Sequence, residues 1–212
     1  MVAVIWWSVL FWILSGLHLF GCLRNDKLRV ATKPLLTLAL LGLYLAGGHV
    51  VATMVLAIVM SLIGDTLLLR TADPWLVLGG VAFLLAHAAY VLTFGAGIVF
   101  AAIPWFTWLA LLAYGAATAL LYRGLKPKLG AKKAPTVAYL VMLSLNGIAA
   151  LLRWASLGTN WAAVTWIGTV FFLISDFALL ANQFRRHWRH GNFIVMLTYC
   201  LAQFLIVATM AS

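Results

Sequence analysis

The sequence has few charged residues, few acids and few cysteines. Charged residues are 8% of the 212 residues, against about a quarter in soluble proteins, so an ordinary soluble domain is excluded. Its 4 acidic residues are all aspartates, against 14 Lys and Arg, which gives a net charge of +10. Two cysteines, Cys22 and Cys200, cannot build a disulfide framework, and no CxxC or CxxH spacing indicates a metal cluster. We therefore expect neither a metal nor a cofactor.

Long apolar runs make up most of the chain. Hydrophobic residues are 66% of it, and its mean hydropathy is +1.09. An α-helix needs about 20 apolar residues to cross the hydrocarbon core of a bilayer. Two runs are too long for one helix and break at Gly47-Gly48 and between Gly95 and Pro104. The sequence therefore predicts an all-α, polytopic membrane protein. Its eight transmembrane helices are expected at roughly residues 2–21, 31–46, 49–69, 75–93, 104–122, 134–152, 161–182 and 192–210.

The distribution of positive charge predicts the orientation of the bundle. Every Lys and Arg except Arg153 lies in or next to a loop that follows an odd-numbered helix, and Lys33 is expected to begin the second helix at the inner membrane interface. The positive-inside rule then places these loops in the cytoplasm and both termini on the other side. The first apolar run has no basic segment before it, so we expect a retained helix and not a cleaved signal peptide. These features are typical of a multi-pass protein of the bacterial inner (cytoplasmic) membrane.

Because the basic residues lie between apolar runs, we expect them to contact anionic lipid headgroups, with no role in binding nucleic acid. The basic run at residues 185–190 contains Arg185, Arg186, His187 and His190. Its arginines would repel a metal cation, so headgroup contact is the expectation there too. Nothing in the sequence indicates the oligomeric state.

Similar sequence blocks recur in the two halves of the chain. Residues 62–65 (LIGD) in the third predicted helix match residues 173–176 (LISD) in the seventh. Residues 85–87 (LAH) and 201–203 (LAQ) match in the fourth and eighth helices. The order of the matches predicts a parallel four-plus-four repeat within a single membrane domain of residues 1–212, with halves of about 1–95 and 96–212. Asp65 and Asp176 would then be pseudo-symmetric partners.

A carboxylate inside a membrane is costly and is a candidate functional group by default. Asp65 and Asp176 are therefore the candidate catalytic residues, both expected in the cytoplasmic half of the bilayer. Polar residues expected near the same depth are candidates for supporting the site and binding the substrate: Lys33, Ser61, His87, Tyr90, Asn182, Tyr199 and Gln203. The alternative is that the acids pair with a base such as Lys33 and that the others form interhelical hydrogen bonds. His18 and His49 have no visible partners, and Asn146 is interpreted as a packing residue.

Two embedded acids suit acid–base chemistry. Burial favours the neutral form of a carboxyl group, and a second acid nearby disfavours double ionisation. A general acid can then act beside a general base. The sequence contains no GxSxG, HExxH or P-loop motif that would support a serine hydrolase, zinc protease or nucleotide enzyme. The pair would suit acid-catalysed cleavage of an ether-like bond in a lipid, or a proton relay in a carrier.

Five blocks of the sequence resemble the YhhN-type lysoplasmalogenase family. They are residues 32–35 (TKPL), 61–65 (SLIGD), 82–90 (AFLLAHAAY), 175–184 (SDFALLANQF) and 199–203 (YCLAQ), in the family's order. The resemblance implies an eight-helix membrane enzyme that hydrolyses the vinyl ether bond of lysoplasmalogen, a lysophospholipid. The products would be a fatty aldehyde and glycerophospho-ethanolamine or -choline. This activity requires no metal or cofactor.

On this resemblance the two aspartates share the work. One would protonate the vinyl ether, and the other, ionised, would stabilise the resulting cation and steer the water; the sequence does not assign which does which. The supporting residues His87, Tyr90, Tyr199 and Gln203 would orient the water or the oxygens, and Lys33 would contact the phosphate. Two other classes stay open: a small transporter that uses the aspartates as a proton or ion relay, and a scaffold in which they only join helices.

Overall fold

The computed structural model describes residues 2–70, 72–184 and 188–211, which contain eight α-helices and no β-strand. The helices are α1 (Val2–Arg24), α2 (Asp26–Ala46), α3 (Ala52–Leu67), α4 (Asp73–Gly95), α5 (Leu109–Leu125), α6 (Lys133–Leu157), α7 (Asn160–Phe184) and α8 (Gly191–Met210). The predictions of an all-α chain and of eight helices are confirmed. Arg185, Arg186 and His187, which are part of the predicted headgroup contact, lie outside the described residues.

Seven helical segments of the described chain are long and apolar enough to cross a membrane; one of them, Trp105–Lys128, is α5 together with the 3₁₀ turns on either side of it. Helix α3 is a shorter apolar helix of 16 residues. The chain is therefore a multi-pass membrane protein. Helix α3 is shorter than the expected range 49–69 by a few residues at each end. Gly48 has a φ of +88° in the connection after α2, which delays the start of α3. At the other end of α3, Arg70 N–H donates to Leu67 O. This turn ends the helix at Leu67, before the predicted residue 69.

Helix α2 begins earlier than the predicted residue 31. The side chain of Asn25 accepts a hydrogen bond from Leu28 N–H at 3.2 Å and caps the helix, so that α2 starts at Asp26. Lys33 consequently lies inside α2 and is buried, so the expectation that it begins the helix is wrong. Pro34 is also inside α2, within its third turn and beyond the N-terminal position at which proline is most favourable.

Neighbouring helices pack as the pairs α1–α2, α3–α4 and α7–α8. Helix α4 also packs against α6, and this contact joins the first four helices to the last four. Helix α5 lies at the periphery of the bundle. The buried apolar cluster includes Phe11, Leu43, Tyr44 and Phe172. Large apolar side chains such as Leu112 are exposed on the outside, as expected for a surface that faces lipid.

A glycine next to the first aspartate allows α3 and α4 to pack closely. A Cβ atom at Gly64 would lie 2.6 Å from Cδ2 of Phe83, so only glycine fits beside this ring in its present position. Phe83 in turn packs edge-on against Phe172 and Tyr199. Phe83 of α4 thus lies between the end of α3 and the facing aromatic side chains of α7 and α8.

Candidate active site

Both candidate aspartates line one cavity of about 260 Å³ at the end of the bundle that carries Arg29 and Arg70. Helices α1, α2, α3, α4, α7 and α8 all contribute to its walls. We call it the polar cavity; its polar lining is Arg29, Lys33, Asp65, Arg70, Asp176, Asn182, Asn192 and Tyr199, among others.

Asp65 lies in the last turn of α3 and is 2% exposed. Its Oδ2 accepts hydrogen bonds from the hydroxyl groups of Thr37 at 2.8 Å and Tyr199 at 2.7 Å. Its Oδ1 lies 3.5 Å from Nζ of Lys33, a buried lysine. A buried charge needs a partner and hydrogen-bond donors, and Asp65 has both. Lys33 and the two hydroxyl groups favour the ionised form of this carboxylate, whereas its burial favours the neutral form.

A chain of hydrogen bonds leads away from Asp65 along α8 and onto α4. Gln203 Nε2 donates to the hydroxyl oxygen of Tyr199 at 3.2 Å, and the hydroxyl of Tyr90 donates to Gln203 Oε1 at 2.8 Å. All three side chains are buried. The structure thus joins Lys33, Asp65 and these three predicted residues in one network.

Asp176 has different partners. Its Oδ2 lies 3.3 Å from Nε2 of His87 and accepts a hydrogen bond from the hydroxyl of Tyr139. Asn146 Nδ2 lies 3.1 Å from Nδ1 of His87. Because the amide nitrogen of Asn146 donates this hydrogen bond, Nδ1 of His87 accepts it. Nε2 of His87 then carries the hydrogen that is directed at Asp176. Among the described residues no Lys or Arg forms an ion pair with Asp176.

The two aspartates are held in equivalent ways. Asp65 on α3 is bonded from the preceding helix, α2, and from α8. Asp176 on α7 is bonded from its preceding helix, α6, and from α4. The second donors are Tyr199 on α8 and His87 on α4. Each lies on the last helix of the half of the chain that does not contain the aspartate. His87 and Tyr90, both on α4, accordingly belong to different networks.

Four predicted supporting residues form no hydrogen bond with either aspartate: Tyr90 and Gln203, which reach Asp65 only through Tyr199, and Ser61 and Asn182. The hydroxyl of Ser61 donates to Ala57 O at 2.9 Å, within its own helix. Asn182 lines the polar cavity, and its Oδ1 accepts from Trp188 N–H at 2.8 Å, which fixes the chain just before α8. The remaining acids, Asp26 and Asp73, are exposed and pair with Arg29 and Lys132.

The expectation that His18 has no partner is wrong. Its Nδ1 lies 2.9 Å from the hydroxyl oxygen of Thr32. That hydroxyl donates to Leu28 O at 2.7 Å, so Nδ1 of His18 is the donor and Nε2 is left as an acceptor. In the described part of the chain, His18 Nε2 and Asn146 Oδ1 are buried without a hydrogen-bond partner. His18 also lines the polar cavity.

Three residues at the site were missed by the sequence reasoning or given a lesser role: Thr37, Tyr139 and Asn146. Thr37 follows Lys33 by one helical turn on α2, and Tyr139 and Asn146 lie two turns apart on α6. Polar residues at these spacings in apolar helices mark a common face, and that signal was present. Within the described residues no three His, Cys or acidic side chains are close enough to hold a metal ion.

Comparisons with known proteins identify the family of the chain. The chain matches the YhhN family over residues 28–210, which includes all of α3 to α8. It is 29% identical over 177 residues to lysoplasmalogenase TMEM86A of Homo sapiens, covering 78% of this chain and 68% of that protein. No solved structure matches the chain. The resemblance inferred from the five sequence blocks is confirmed at the level of the family.

Proposed function

This chain belongs to the YhhN family, and on that premise we propose that it is a membrane hydrolase of lysoplasmalogen. It cleaves the vinyl ether bond and releases a fatty aldehyde and glycerophospho-ethanolamine or -choline. The similarity to a human lysoplasmalogenase supports the substrate class. The observation that carries the proposal is that two buried aspartates with different partners line one cavity.

The reaction needs a proton donor and a nearby negative charge. An acid protonates the β-carbon of the vinyl ether, which leaves an oxocarbenium ion at the carbon bound to oxygen. Water adds to that carbon and loses a proton, and the hemiacetal collapses to aldehyde and alcohol. The proton taken from the enzyme is returned by the water. A fixed carboxylate lowers the energy of the cation in a dry site.

The partners of the two aspartates suggest their roles. Asp65 is the carboxylate, because Lys33 and two hydroxyl donors stabilise its charge. Asp176 is the general acid. Its contacts with His87 and Tyr139 both fall on Oδ2, which leaves Oδ1 to carry the proton and pass it to the substrate.

The same geometry suggests where the phosphate of the substrate binds. Lys33 lies 3.5 Å from Asp65, so we assign it to that carboxylate and not to the phosphate. Arg29 and Arg70 line the polar cavity at its charged end. A guanidinium group presents several donors in one plane, which suits the oxygens of a phosphate. These two arginines therefore contact the headgroup.

The topology that accompanies this function has both termini on the non-cytoplasmic side and eight spans in the bacterial inner membrane. The basic loops face anionic headgroups in the cytoplasmic leaflet. The equivalent bonding of Asp65 and Asp176 supports a parallel four-plus-four repeat within one domain. The polar cavity then opens toward the cytoplasmic leaflet.

One observation favours a second candidate function, a proton relay in a small transporter. The hydrogen-bonded chain from Asp65 through Tyr199 and Gln203 to Tyr90 extends away from the polar cavity. Proteoliposomes distinguish the two functions. A relay acidifies or alkalinises the lumen when a gradient is imposed and leaves vinyl ether lipids intact.

The test is turnover by the purified protein in detergent with vinyl-ether, alkyl-ether and acyl lysophospholipids side by side. We expect aldehyde from the vinyl ether alone. Asp65→Asn and Asp176→Asn each lower kcat by about 10²- to 10⁴-fold, the usual contribution of a positioned acid or base. Asp73→Asn, the same change at an exposed acid, is the matched control and keeps wild-type activity. Release of fatty acid from the acyl substrate, or full activity in either cavity variant, contradicts the proposal.

A further inference from the structure

A second space, the apolar groove, lies beside the polar cavity. It has a volume of about 300 Å³ and is bounded by α4, α6 and α7. Val77, Gly80, Val81 and Leu84 on α4 face Pro135 and Tyr139 on α6 across it. The apolar groove is thus almost entirely hydrocarbon in character, whereas the polar cavity carries the charges.

The two spaces are adjacent and share part of their walls. Five residues line both of them: Leu68, Leu76, Phe83, Leu179 and Gln183. Tyr139 makes a second connection, because it lines the apolar groove while its hydroxyl donates to Asp176 in the wall of the polar cavity. A molecule that is polar at one end and apolar at the other could occupy both spaces at once.

We propose that the apolar groove binds the hydrocarbon chain of a single-chain lipid whose polar end lies in the polar cavity. The inference rests on the proposed function and specifies how its substrate is held. In a vinyl ether lipid the scissile bond lies where the headgroup meets the chain. A substrate placed across the two spaces therefore presents that bond at their junction, beside Asp176.

The arrangement also selects for one chain. A second acyl chain would have to lie in the polar cavity against Arg29, Lys33 and Asp65. Covering those charges with hydrocarbon removes their hydration without supplying hydrogen bonds. A lysolipid avoids that cost because its second position is a hydroxyl group. Diacyl phospholipids are accordingly excluded from the site.

Two adjacent glycines provide a means of blocking the apolar groove. A Cβ atom at Gly79 would lie 2.8 Å from the side chain of Leu68, so there is no room for a side chain at that position. A Cβ atom at Gly80 would meet nothing within 4 Å, and Gly80 lines the groove. The side chain in Gly80→Leu therefore begins in open space and extends into the groove. Gly16→Leu on the exposed face of α1, where a Cβ also meets nothing within 4 Å, is the matched control.

The experiment is photocrosslinking with a non-hydrolysable alkyl-ether lysophosphatidylethanolamine that carries a diazirine in its chain. Mass spectrometry locates the adducts. We expect them on the groove faces of α4, α6 and α7. Gly80→Leu lowers this labelling about tenfold, as expected when roughly two methylene groups lose their burial. Gly16→Leu leaves it unchanged, and Gly80→Ala gives a smaller reduction that tests the groove even if Gly80→Leu folds poorly.

The outcome separates this inference from the proposed function, because labelling requires no turnover. Adducts spread over the lipid-facing sides of α1 and α5, or groove labelling that is insensitive to both Gly80 variants, would overturn the apolar groove as the chain site. If the groove is labelled but vinyl ether lipids are not hydrolysed, the chain site stands and the proposed reaction is wrong. A diacyl probe that labels the groove as well as the lysolipid does contradicts the single-chain inference.

Discussion

At the scale of single residues, the difference between the two aspartates lies in their donors. Asp65 has an ammonium group within 3.5 Å, whereas the partners of Asp176 are a histidine and a tyrosine hydroxyl. Both acids could be predicted from the sequence, because a carboxylate in an apolar helix stands out. Their partners Thr37 and Tyr139 could not be, since Thr and Tyr are common in helices and only cross-helix packing shows which of them face an acid.

Tyr139→Phe tests the support of Asp176. The change removes the hydroxyl donor and keeps the ring that lines the apolar groove. A hydrogen bond to a charged or acidic group is worth about 1.5–3 kcal/mol, so kcat should fall by about 10- to 100-fold with little change in KM. Steady-state aldehyde release measures both constants. Tyr114→Phe, which removes a hydroxyl that contacts Trp166 away from the polar cavity, is the control and keeps full activity. An unchanged kcat in Tyr139→Phe rules out this role.

Lys33→Met tests the ion pair at Asp65. Removing one partner of a buried pair leaves an uncompensated charge and costs about 3–5 kcal/mol. Thermal unfolding in detergent should show a large loss for Lys33→Met and a partial recovery in the Lys33→Met/Asp65→Asn double variant. Losses that simply add would mean that the two side chains are not coupled.

At the scale of helices, the number and order of the elements could be predicted and several ends could not. The lengths of the apolar runs and the breaks at Gly47-Gly48 and between Gly95 and Pro104 can be read directly from the sequence. Helices α2 and α4 end at these breaks, as expected. The start of α2 depends on a side-chain cap by Asn25, and the short length of α3 depends on the turn after Leu67. Such local hydrogen bonds leave hydropathy almost unchanged, so a hydropathy pattern does not locate them.

Gly64→Ala tests the close packing of α3 against α4. The added Cβ atom would lie 2.6 Å from Phe83, which must move together with the end of α3. Overpacking of this kind costs about 1–3 kcal/mol. The variant should therefore unfold at lower temperature and lose activity as Asp65 shifts. Gly80→Ala, the same change on α4 where the Cβ has room, should be neutral or up to about 1 kcal/mol stabilising. Equal stability of the two variants would contradict the packing argument.

At the scale of the whole molecule, the charge distribution and the site belong to the same end of the bundle. Arg29, Lys33 and Arg70 line the polar cavity, and all three are counted among the basic residues of the predicted cytoplasmic loops. A substrate would then enter from the cytoplasmic leaflet with its phosphate near the arginines. The net charge of +10 would hold this end against anionic headgroups.

Cysteine labelling tests the orientation. Single cysteines are placed at Ala72 and Ala131 at the basic end, and at Gly97 and Thr159 at the other end, all of them exposed. Because basic loops are retained in the cytoplasm, a membrane-impermeant maleimide should label the first two only in inverted vesicles. It should label the second two only in right-side-out vesicles. The reverse pattern would place the polar cavity on the opposite side of the membrane.

The most direct test of the central claim, that an aspartate in the polar cavity protonates a vinyl ether carbon, is hydrolysis of lysoplasmalogen in D₂O. The aldehyde is reduced as it forms, to prevent exchange, and analysed by mass spectrometry. Protonation of the β-carbon should place one solvent deuterium on the carbon next to the former carbonyl, and Asp176→Asn should abolish the product. Aldehyde without that deuterium, or a labelled product formed at an undiminished rate by Asp176→Asn, would contradict the account.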